Sequence, residues 1–426
     1  MLDINVIREQ PDRVKKAIRD KGTGNEETVD RILALDVERR ETLTELQETQ
    51  ARSNAISKEI GILMREGKRQ EAEARKVETG KLKELIRNLE ERARALDAEQ
   101  SKLLLEIPNI PHPSVPVGHS PEENVVVHEE GSKPVFDFEP LPHWELAARH
   151  NLIDFERGAK VTGAGFPFYV GQGARLQRAL INFFLDLAVN AGGYIEMEPP
   201  VVVNEDSARG TGQIPDKEDL MYEARRDGLF LVPTAEVPVT NFYRDEIINE
   251  HDLPVKFCAY TPCFRREAGS YGKDVRGLNR LHQFDKVELV QFVHPDQSYD
   301  ALESLREDAE RPLRQLGIPY RRLLMCTGDM GFTQSKKYDL EVWSAGQSRW
   351  LEVSSCSNFE SFQARRMSIR YRPAGGGRPQ ILHTLNGSGL ALPRIVAALL
   401  ENNQQADGTI LIPEVLQSYT GFDRIG

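Results

Sequence analysis

Long apolar runs are missing from this chain of 426 residues. Nowhere do about eighteen apolar residues follow one another, as a helix that spans a bilayer requires. The first ten residues, MLDINVIREQ, carry charges where a signal peptide needs an uninterrupted apolar stretch. The sequence therefore predicts a cytoplasmic protein with no membrane contact.

Cysteine is scarce, and it lacks the spacing of a metal cage. The four cysteines form no CxxC pair, so we expect free thiols at Cys258, Cys263, Cys326 and Cys356. Two common nucleotide-binding patterns are missing as well: there is neither a GxxxxGK[ST] loop nor a GxGxxG fingerprint after a first strand. An ATP site in this chain would have to hold the phosphates with arginines and metal ions.

A general excess of basic residues is also missing. The net charge is -11, which argues against a protein coated with positive charge for nucleic acid. Only a local basic surface remains as a candidate RNA contact.

Proline is absent between Thr28 and Glu106, and this stretch is rich in good helix formers such as Glu, Lys, Arg, Ala and Leu. We predict two helices, from Thr28 to about Met64 and from about Glu71 to Glu106, joined by a turn that contains Gly67. In the second helix, spacings of four and three alternate as in a coiled-coil seam: Leu82, Ile86, Leu89, Ala93, Leu96, Gln100, Leu103 and Ile107. At about 1.5 Å per residue the hairpin forms an arm on the order of 55 Å long.

The first helix of this arm has a less regular pattern. Its apolar positions Leu43, Leu46, Ile60 and Met64 fit a seam, but Gln50 and Ser53 interrupt it. Looser or partly polar packing is expected there. Charge is also uneven, because Thr28 to Glu48 holds three basic and six acidic residues, whereas Arg52 to Lys76 holds seven basic and four acidic. A solvated face is the ordinary explanation of such a charge run, and phosphate binding is the alternative.

A cluster of prolines follows the arm and marks a domain boundary, since proline interrupts regular helix: Pro108, Pro111, Pro113, Pro116 and Pro121. We therefore predict a helical domain over residues 1–110 and a second domain over residues 111–426. Strand-like runs alternate with a few helices in the second domain, which indicates an α+β fold.

Two stretches of the second domain carry side chains suited to nucleotide chemistry, FRREAG and LEVSSCSNFESFQARR. Arg265 and Glu267 are two apart on a predicted strand, so both should point to one face, where the arginine can hold a phosphate and the glutamate can accept from a base. In the second stretch, alternation places Glu352 and Ser354 on one face. Glu352 with Ser355 offers oxygen ligands for a hard divalent cation. Taken alone, such residues are usually ordinary surface features.

Two further stretches are weaker signals. The amphipathic helix with Leu176, Leu180 and Phe183, followed by GYIEMEPPVVV, contains no nucleophile or ligand cluster and predicts a structural role. The stretch NGSGLALPR opens a helix whose first turn includes Arg394, a position where an arginine can anchor a polyphosphate.

Taken in order, these stretches resemble the three motifs of class II aminoacyl-tRNA synthetases. GYIEMEPPVVV resembles motif 1 (about residues 175–203), FRREAG motif 2 (about 255–293) and NGSGLALPR motif 3 (about 384–402). Other phrases are similar to seryl-tRNA synthetases in particular: TGQIP, LVPTAEVP, RLHQFDKVE and EVSSCSNFESFQARR. The likeness includes the N-terminal hairpin and covers essentially the whole chain.

This resemblance implies a fold and a reaction. The fold would be an antiparallel sheet flanked by helices, with the coiled-coil arm (about residues 28–106) belonging to an N-terminal tRNA-binding domain. The enzyme would activate serine with ATP and Mg²⁺, and then transfer it to the 3′-terminal adenosine of tRNA(Ser). A homodimer is implied by motif 1. Whether tRNA(Sec) is a second acceptor stays open.

The resemblance also assigns residues by position. Arg265, Glu267 and Arg394 would be catalytic. They would contact the α-phosphate, the adenine and the γ-phosphate, respectively. ATP would be bound by Arg265, Arg266, Glu267, Glu352, Val353, Ser354, Ser355 and Arg394, and Mg²⁺ by Glu352 and Ser355. Serine would be bound by Thr234, Ala235, Glu236, Arg265, Glu288 and Ser388. The expected tRNA contacts near the tip of the arm are Arg52, Lys58, Arg65, Lys68 and Arg69.

Two alternatives remain at this point. A related ligase could pass its aminoacyl-adenylate to a carrier protein, although such relatives lack the long arm. A non-catalytic RNA-binding descendant would have lost motif residues, whereas Arg265, Glu267, Glu352 and Arg394 are all present.

Overall fold

The structure, a computed structural model, describes residues 1–215, 220–267 and 276–426. These residues form two compact units, Leu2–Pro108 and Asn109–Gly426. The helices are α1 (Ile4–Glu9), α2 (Pro11–Lys21), α3 (Glu26–Arg65), α4 (Arg69–Leu104), α5 (His143–Arg149), α6 (Phe155–Val161), α7 (Gln172–Asn190), α8 (Glu205–Thr211), α9 (Glu236–Thr240), α10 (Ser298–Gln315), α11 (Phe362–Arg366), α12 (Leu392–Asn402) and α13 (Glu414–Thr420).

The strands lie in the second unit. They are β1 (Val125–Glu130), β2 (Ile153–Asp154), β3 (Phe168–Tyr169), β4 (Ile195–Met197), β5 (Val202–Asn204), β6 (Glu223–Ala224), β7 (Leu229–Leu231), β8 (Ile247–Asn249), β9 (Val255–Phe264), β10 (Gln283–Val293), β11 (Tyr320–Leu324), β12 (Lys336–Ser344), β13 (Arg349–Asn358), β14 (Arg370–Arg372), β15 (Gln380–Ile381), β16 (His383–Ala391), β17 (Ile410–Leu411) and β18 (Arg424–Ile425).

The N-terminal unit is dominated by the antiparallel pair α3 and α4. Helix α3 begins where the Asn25 side chain accepts a hydrogen bond from the backbone N–H of Glu27, and acidic residues occupy its first turn. It ends at Arg65, and Gly67 takes a left-handed φ of 79° in the turn before α4. The predicted coiled-coil hairpin is confirmed.

In the interface between these two helices, α4 contributes mainly apolar side chains, whereas α3 contributes several hydroxyl side chains. From Leu89 onward the predicted seam of α4 is buried. The buried positions of the outer part of α3 are instead Thr42, Thr49, Ser53, Ile56 and Leu63. Met64 is 47% exposed, so its assignment to the seam was wrong, and Ser53 belongs to the seam that it was expected to interrupt. Small hydroxyl side chains form hydrogen bonds within their own helix: the hydroxyls of Ser57 and Thr79 donate to backbone carbonyls one turn earlier.

The second unit is built on an eight-stranded sheet with the order β1-β11-β12-β13-β16-β10-β9-β4. Neighbouring strands are antiparallel, except that β4 pairs with β9 in parallel. Helices α7, α10 and α12 pack on the sheet, and their buried leucines form one core with the strands. The α+β fold class is confirmed.

The prediction of free thiols is confirmed. Cys258, Cys263, Cys326 and Cys356 are buried free thiols. Within the three described ranges, no helix has the length and apolar character needed to cross a bilayer.

Candidate active site

A pocket of about 560 Å³ opens over the central strands of the large sheet. Its wall is built from β10, β12, β13 and β16, the beginnings of α9 and α12, and the segments that follow β7 and β9. The pocket is lined mainly by charged and hydroxyl side chains, several of which are buried. Polar groups converging in one concave site are the usual sign of a binding or catalytic centre.

One end of the pocket is a buried carboxylate pair. Glu288 on β10 is 1% exposed, accepts a hydrogen bond of 3.2 Å from the Thr234 hydroxyl and forms an ion pair with Lys286. Lys286 and Glu288 are two residues apart on one strand, so both side chains lie on the same face. Ser388 on the neighbouring β16 lies directly opposite Glu288. This end can bind a small group that carries an ammonium and a hydroxyl.

Glu236 is the second carboxylate at this end. It opens α9, is 7% exposed and accepts a hydrogen bond of 2.6 Å from the Gln363 side-chain amide. Burial, reinforced by the nearby negative charge of Glu288, raises the pKa of Glu236 to about 7. A positively charged ligand placed here would be stabilised by both carboxylates.

Arg265 lies in the middle of the pocket. Its Nε donates to the Pro233 carbonyl over 3.4 Å, and its guanidinium packs 5.2 Å from the centre of the Phe284 ring. The charge of Arg265 opposes the rise in the pKa of Glu236 that burial causes, and it adds to the charges of Lys337 and Arg394 that hold the pKa of Glu352 below its ordinary value. The guanidinium therefore acts on both ends of the pocket.

Arg265 and Glu267 both line the pocket, but not for the reason we predicted. Strand β9 ends at Phe264, so neither residue continues the strand. Glu267 has a left-handed φ of 49°, and its carboxylate forms an ion pair with Arg280. The turn, and not strand alternation, brings the two side chains to one side. Residues 268–275 of motif 2 lie outside the described residues.

A β-bulge arranges the residues of β13. Leu340 pairs with Ser354 while Glu341 pairs with Glu352, so Val353 is the extra residue. Strict alternation would put Glu352 and Ser355 on opposite faces. Because of the bulge they meet, and the Ser355 hydroxyl donates to the Glu352 carboxylate over 3.2 Å. The prediction that Glu352 and Ser354 share a face by alternation was wrong: Ser354 is buried and donates to the Ser388 carbonyl.

Arg394 closes the pocket on the other side. It lies in the first turn of α12, where its Nη1 donates to the Glu352 carbonyl over 2.6 Å and its Nε to the Asn279 carbonyl over 3.1 Å. Partial removal of the Glu352 carboxyl from water by the surrounding protein tends to raise its pKa. The charges of Lys337 and Arg394 outweigh this effect and hold that pKa below its ordinary value. Glu352 is therefore an ionised carboxylate beside a hydroxyl, a donor set that suits a hard cation.

Most of the predicted ligand-binding residues meet in this one pocket. They are Thr234, Glu236, Arg265, Glu267, Glu288, Glu352, Val353, Ser354, Ser355, Ser388 and Arg394. Among the described residues, Ala235 and Arg266 lie outside its lining. Ala235 is fully buried, and the backbone N–H of Arg266 donates to the Leu220 carbonyl.

Sequence reasoning missed several residues of the lining, including Lys286, Lys337, Phe284, Asn279 and Arg280. Lys286 had a usable signal, because it stands two residues before Glu288 on a predicted strand. Lys337 had no comparable signal, since β12 lies far from the motif residues in sequence.

The basic residues predicted to contact tRNA lie on the arm. All five of them, Arg52, Lys58, Arg65, Lys68 and Arg69, are exposed. Arg52 pairs with Glu78 over 2.6 Å and Lys68 with Glu66 over 2.9 Å. Such exposed ion pairs are weak, so these cations remain accessible to other anions.

Comparisons with known protein families agree with this geometry. Residues 221–403 match the class II tRNA synthetase core domain (G, H, P, S and T), and residues 1–111 match the seryl-tRNA synthetase N-terminal domain. The chain is 64% identical to a serine–tRNA ligase of Salinibacter ruber over 426 residues, covering all of this chain and 99% of the relative.

Solved structures give the same result. The seryl-tRNA synthetase of Pyrococcus horikoshii, complexed with ATP, superposes with a TM-score of 0.93 at 36% identity and covers 100% of this chain and 99% of that one. The cytoplasmic serine–tRNA ligase of Naegleria fowleri, in complex with AMP, has a TM-score of 0.88 at 28% identity, with 100% and 98% of the chains covered.

Proposed function

The chain belongs to the seryl-tRNA synthetase family, and we propose that the pocket described above is where it joins serine to ATP. Its activity is that of an ATP-dependent aminoacyl-tRNA ligase for serine. The observation that carries the residue assignments is the convergence of a buried carboxylate end, a central arginine and an arginine-and-carboxylate end in one cavity. These three parts match an amino acid, an α-phosphate and a triphosphate with its metal ion.

The carboxylate end would bind serine. Glu288 and Glu236 are both buried and offer negative charge to the substrate ammonium, while Thr234 and Ser388 offer hydroxyl groups beside them. Lys286 balances one of the two carboxylates through its ion pair with Glu288. The Glu236 carboxyl, whose pKa is raised to about 7, then supplies the remaining negative charge when it is ionised, and a ligand with one ammonium favours that form.

Arg265 would act at the reacting phosphorus. A serine carboxylate oxygen attacks the α-phosphorus, a new P–O bond forms, and the bond to the bridging oxygen of pyrophosphate breaks. Negative charge grows on the α-phosphate oxygens in the transition state, and a fixed guanidinium stabilises it. Arg265 lines the same pocket as Glu236 and Glu352, and this position supports the role.

The remaining groups would hold the rest of ATP. Arg394 would contact the γ-phosphate and Glu267 the adenine amino group, each from its own side of the pocket. Glu352 and Ser355 fit a Mg²⁺ ion, because an ionised carboxylate and a hydroxyl lie 3.2 Å apart and leave positions for phosphate oxygens and water. The ion would neutralise the triphosphate. No covalent intermediate with the protein is required, since positioning and electrostatics suffice.

The second half-reaction transfers serine from the adenylate to the 3′-terminal adenosine of tRNA(Ser). We propose that residues 1–110 bind the RNA and that residues 111–426 carry out the chemistry. The basic tip, defined as Arg52, Lys58, Arg65, Lys68 and Arg69, would contact phosphates of the tRNA. Contacts to phosphates recognise the shape of an RNA and not its base sequence. Such recognition is compatible with tRNA(Sec) as a second acceptor.

A homodimer is part of the same proposal. Strand β4 lies at the edge of the large sheet, and its residue Ile195 is 61% exposed. Val201 and Val202, which follow it, are about 40% exposed. Exposed apolar side chains on motif 1 support a twofold contact with a second copy. Sedimentation equilibrium tests this point, and Ile195→Asp is expected to shift the population toward monomer.

ATP–pyrophosphate exchange with each of the twenty amino acids tests the first half-reaction. We expect serine alone to stimulate exchange strongly. Stimulation by a different amino acid would contradict the assignment of the carboxylate end. Aminoacylation of tRNA(Ser) and tRNA(Sec) transcripts, measured in parallel, tests the second half-reaction and the two acceptors.

A further inference from the structure

A histidine outside the pocket is fully buried and hydrogen-bonded on both ring nitrogens. His143 opens α5, and its Nδ1 lies 2.7 Å from Oε1 of Glu401 on α12, which is also fully buried. The backbone N–H of His143 donates to the same carboxylate oxygen over 2.9 Å. This pair therefore joins the beginning of α5 to the last turns of the helix that carries Arg394.

The other ring nitrogen contacts the segment 276–280, which lies within motif 2 shortly before β10 and is called the exit segment here. The backbone N–H of Leu278 donates to Nε2 of His143 over 2.8 Å. A backbone N–H can only donate, so Nε2 must be unprotonated and the ring proton must sit on Nδ1, facing Glu401. His143 is thus held as one neutral tautomer with a fixed orientation.

Gly277 allows this close approach. It has a left-handed φ of 66°, and a Cβ atom at this position would lie 2.3 Å from Nε2 of His143 and 3.1 Å from the Trp144 ring. Any side chain would therefore push the exit segment away from the histidine. The neighbouring Arg276 lies over the Trp144 ring at 4.7 Å, so the beginning of α5 contacts this segment in two ways.

The exit segment in turn contacts the residues assigned to ATP. The Asn279 carbonyl accepts from Arg394 Nε over 3.1 Å, and Arg280 forms an ion pair with Glu267. The Asn279 side chain donates to Gln347, whose own amide donates to Glu401 over 3.1 Å. These hydrogen bonds close a network that begins and ends on α12.

We propose that His143 is a positioning residue for ATP: by holding the Leu278 N–H, it fixes the exit segment so that Arg280 orients Glu267 and Asn279 orients Arg394. This inference rests on the proposed roles of Glu267 and Arg394 in ATP binding. The hydrogen bonds and the ion pair described above lead from the exit segment to these two residues and to Gln347, and they do not involve the serine end of the pocket. Loss of the histidine should therefore affect ATP far more than serine.

Two substitutions of His143 separate its two hydrogen bonds. The amide of His143→Asn reaches the place of Nδ1 and keeps a donor to Glu401, but leaves the Leu278 N–H without its acceptor. The longer His143→Gln can place its amide oxygen near the position of Nε2 and keep that acceptor. We expect His143→Asn to raise the KM for ATP roughly tenfold in pyrophosphate exchange, since a buried donor is left unsatisfied. The KM for serine should stay within about twofold.

His143→Gln should keep the KM for ATP much closer to that of the unmodified chain. Gly277→Ala moves the exit segment without changing His143, and it should give the same separation between ATP and serine. Asn402→Ala is the matched control: beside Glu401, it removes the hydrogen bond that Asn402 donates to the Trp343 carbonyl and the one that it accepts from the Ala345 N–H, without touching the exit segment. It should lower the unfolding temperature and leave the KM for ATP unchanged.

Exchange by the unmodified chain, measured in parallel, reports on the proposed function itself. If that activity is present but His143→Asn and Gly277→Ala change neither KM, or raise both equally, the positioning role of His143 is wrong. The same conclusion follows if Asn402→Ala raises the KM for ATP as much as His143→Asn does. A selective rise for ATP that His143→Gln relieves supports the proposal.

Discussion

The basic tip of the arm and the pocket of the catalytic unit both carry many charges, but the charges are held in opposite ways. At the tip, Arg52 and Lys68 are exposed and pair with glutamates that are partly exposed themselves. In the pocket, Glu288 and Lys286 are 1% and 5% exposed, and Glu236 is 7% exposed. Water screens the first set and is largely excluded from the second.

This difference predicts how each region tolerates change. An exposed cation contributes little by itself, so RNA binding by the arm should be spread over many residues. A buried charge depends on each of its partners, so a single substitution in the pocket should be costly. Substitutions in both regions can test this contrast, beginning with the largest effect expected for one side chain.

Arg265→Ala should have the largest effect. It removes the charge that acts on both ends of the pocket, and one such transition-state contact is worth roughly 3 to 4 kcal/mol. Serine-dependent pyrophosphate exchange should fall by about a hundredfold or more, with an unchanged circular dichroism spectrum. If the folded variant keeps more than about a tenth of the exchange rate, Arg265 does not contact the reacting phosphate.

Glu236→Gln should reveal the cost of burying a carboxylate. The pKa of Glu236 is raised to about 7 from an ordinary value of 4.5, so its neutral form is favoured in the folded state. The protonated group therefore contributes to the free energy of unfolding at low pH. This contribution falls by about 3 kcal/mol at most as the pH rises from about 4.5 to about 7. In urea unfolding without substrates, the free energy of unfolding of the variant should therefore increase relative to that of the unmodified chain between pH 5 and pH 8. Parallel pH profiles for the two proteins would contradict the raised pKa.

Much of the fold and most of the pocket could be predicted because each prediction rested on a strong local pattern. The arm followed from helix-forming residues and heptad spacing in α4, where Leu89, Ala93 and Leu96 are indeed buried. The pocket residues followed from resemblance to the family motifs. Neither inference required knowledge of distant contacts.

The errors came from places where the backbone departs from a regular period. The bulge at Val353 turned Glu352 and Ser355 to one side, against the alternation on which we relied. The end of β9 at Phe264 replaced a predicted strand with a turn at Glu267. His143 reaches its partners only through the tertiary fold, and Lys337 forms an ion pair with Asp339, which no motif included, so no spacing around the motif residues indicated either one.

Glu288→Gln should have a smaller but more selective effect. The amide keeps the size of the carboxylate but cannot compensate a substrate ammonium, and a hydrogen bond to a charged group is worth about 1.5 to 3 kcal/mol. The KM for serine should rise by about tenfold or more, while the KM for ATP should change much less. Equal increases for both substrates would mean that Glu288 supports the whole site and does not read the amino acid.

The arm should show the smallest effect per residue. Replacing Arg52, Lys58, Arg65, Lys68 and Arg69 together with glutamine should weaken tRNA binding and leave pyrophosphate exchange unchanged. The dependence of affinity on salt should flatten by up to about one unit of log-log slope for each phosphate that the arm no longer neutralises. Each single substitution should cost less than about 1 kcal/mol, because the charges are exposed and screened. Filter binding of tRNA(Ser) between low and physiological salt measures both quantities.

A matched variant separates position from total charge in this experiment. Arg31, Arg87, Arg92, Arg94 and Lys102 are also exposed on α3 and α4 but lie nearer the base of the arm than Arg52 does, and replacing them with glutamine changes the net charge by the same amount. Long-range attraction to the RNA should fall equally in both variants, since it depends on net charge. Only the substitutions at the tip should also remove direct binding to phosphates and flatten the salt dependence. If the two variants show equally reduced affinity for tRNA and equally reduced salt dependence, the tip is an ordinary solvated surface. The proposal that RNA binding is spread over the basic residues of the tip would then be wrong.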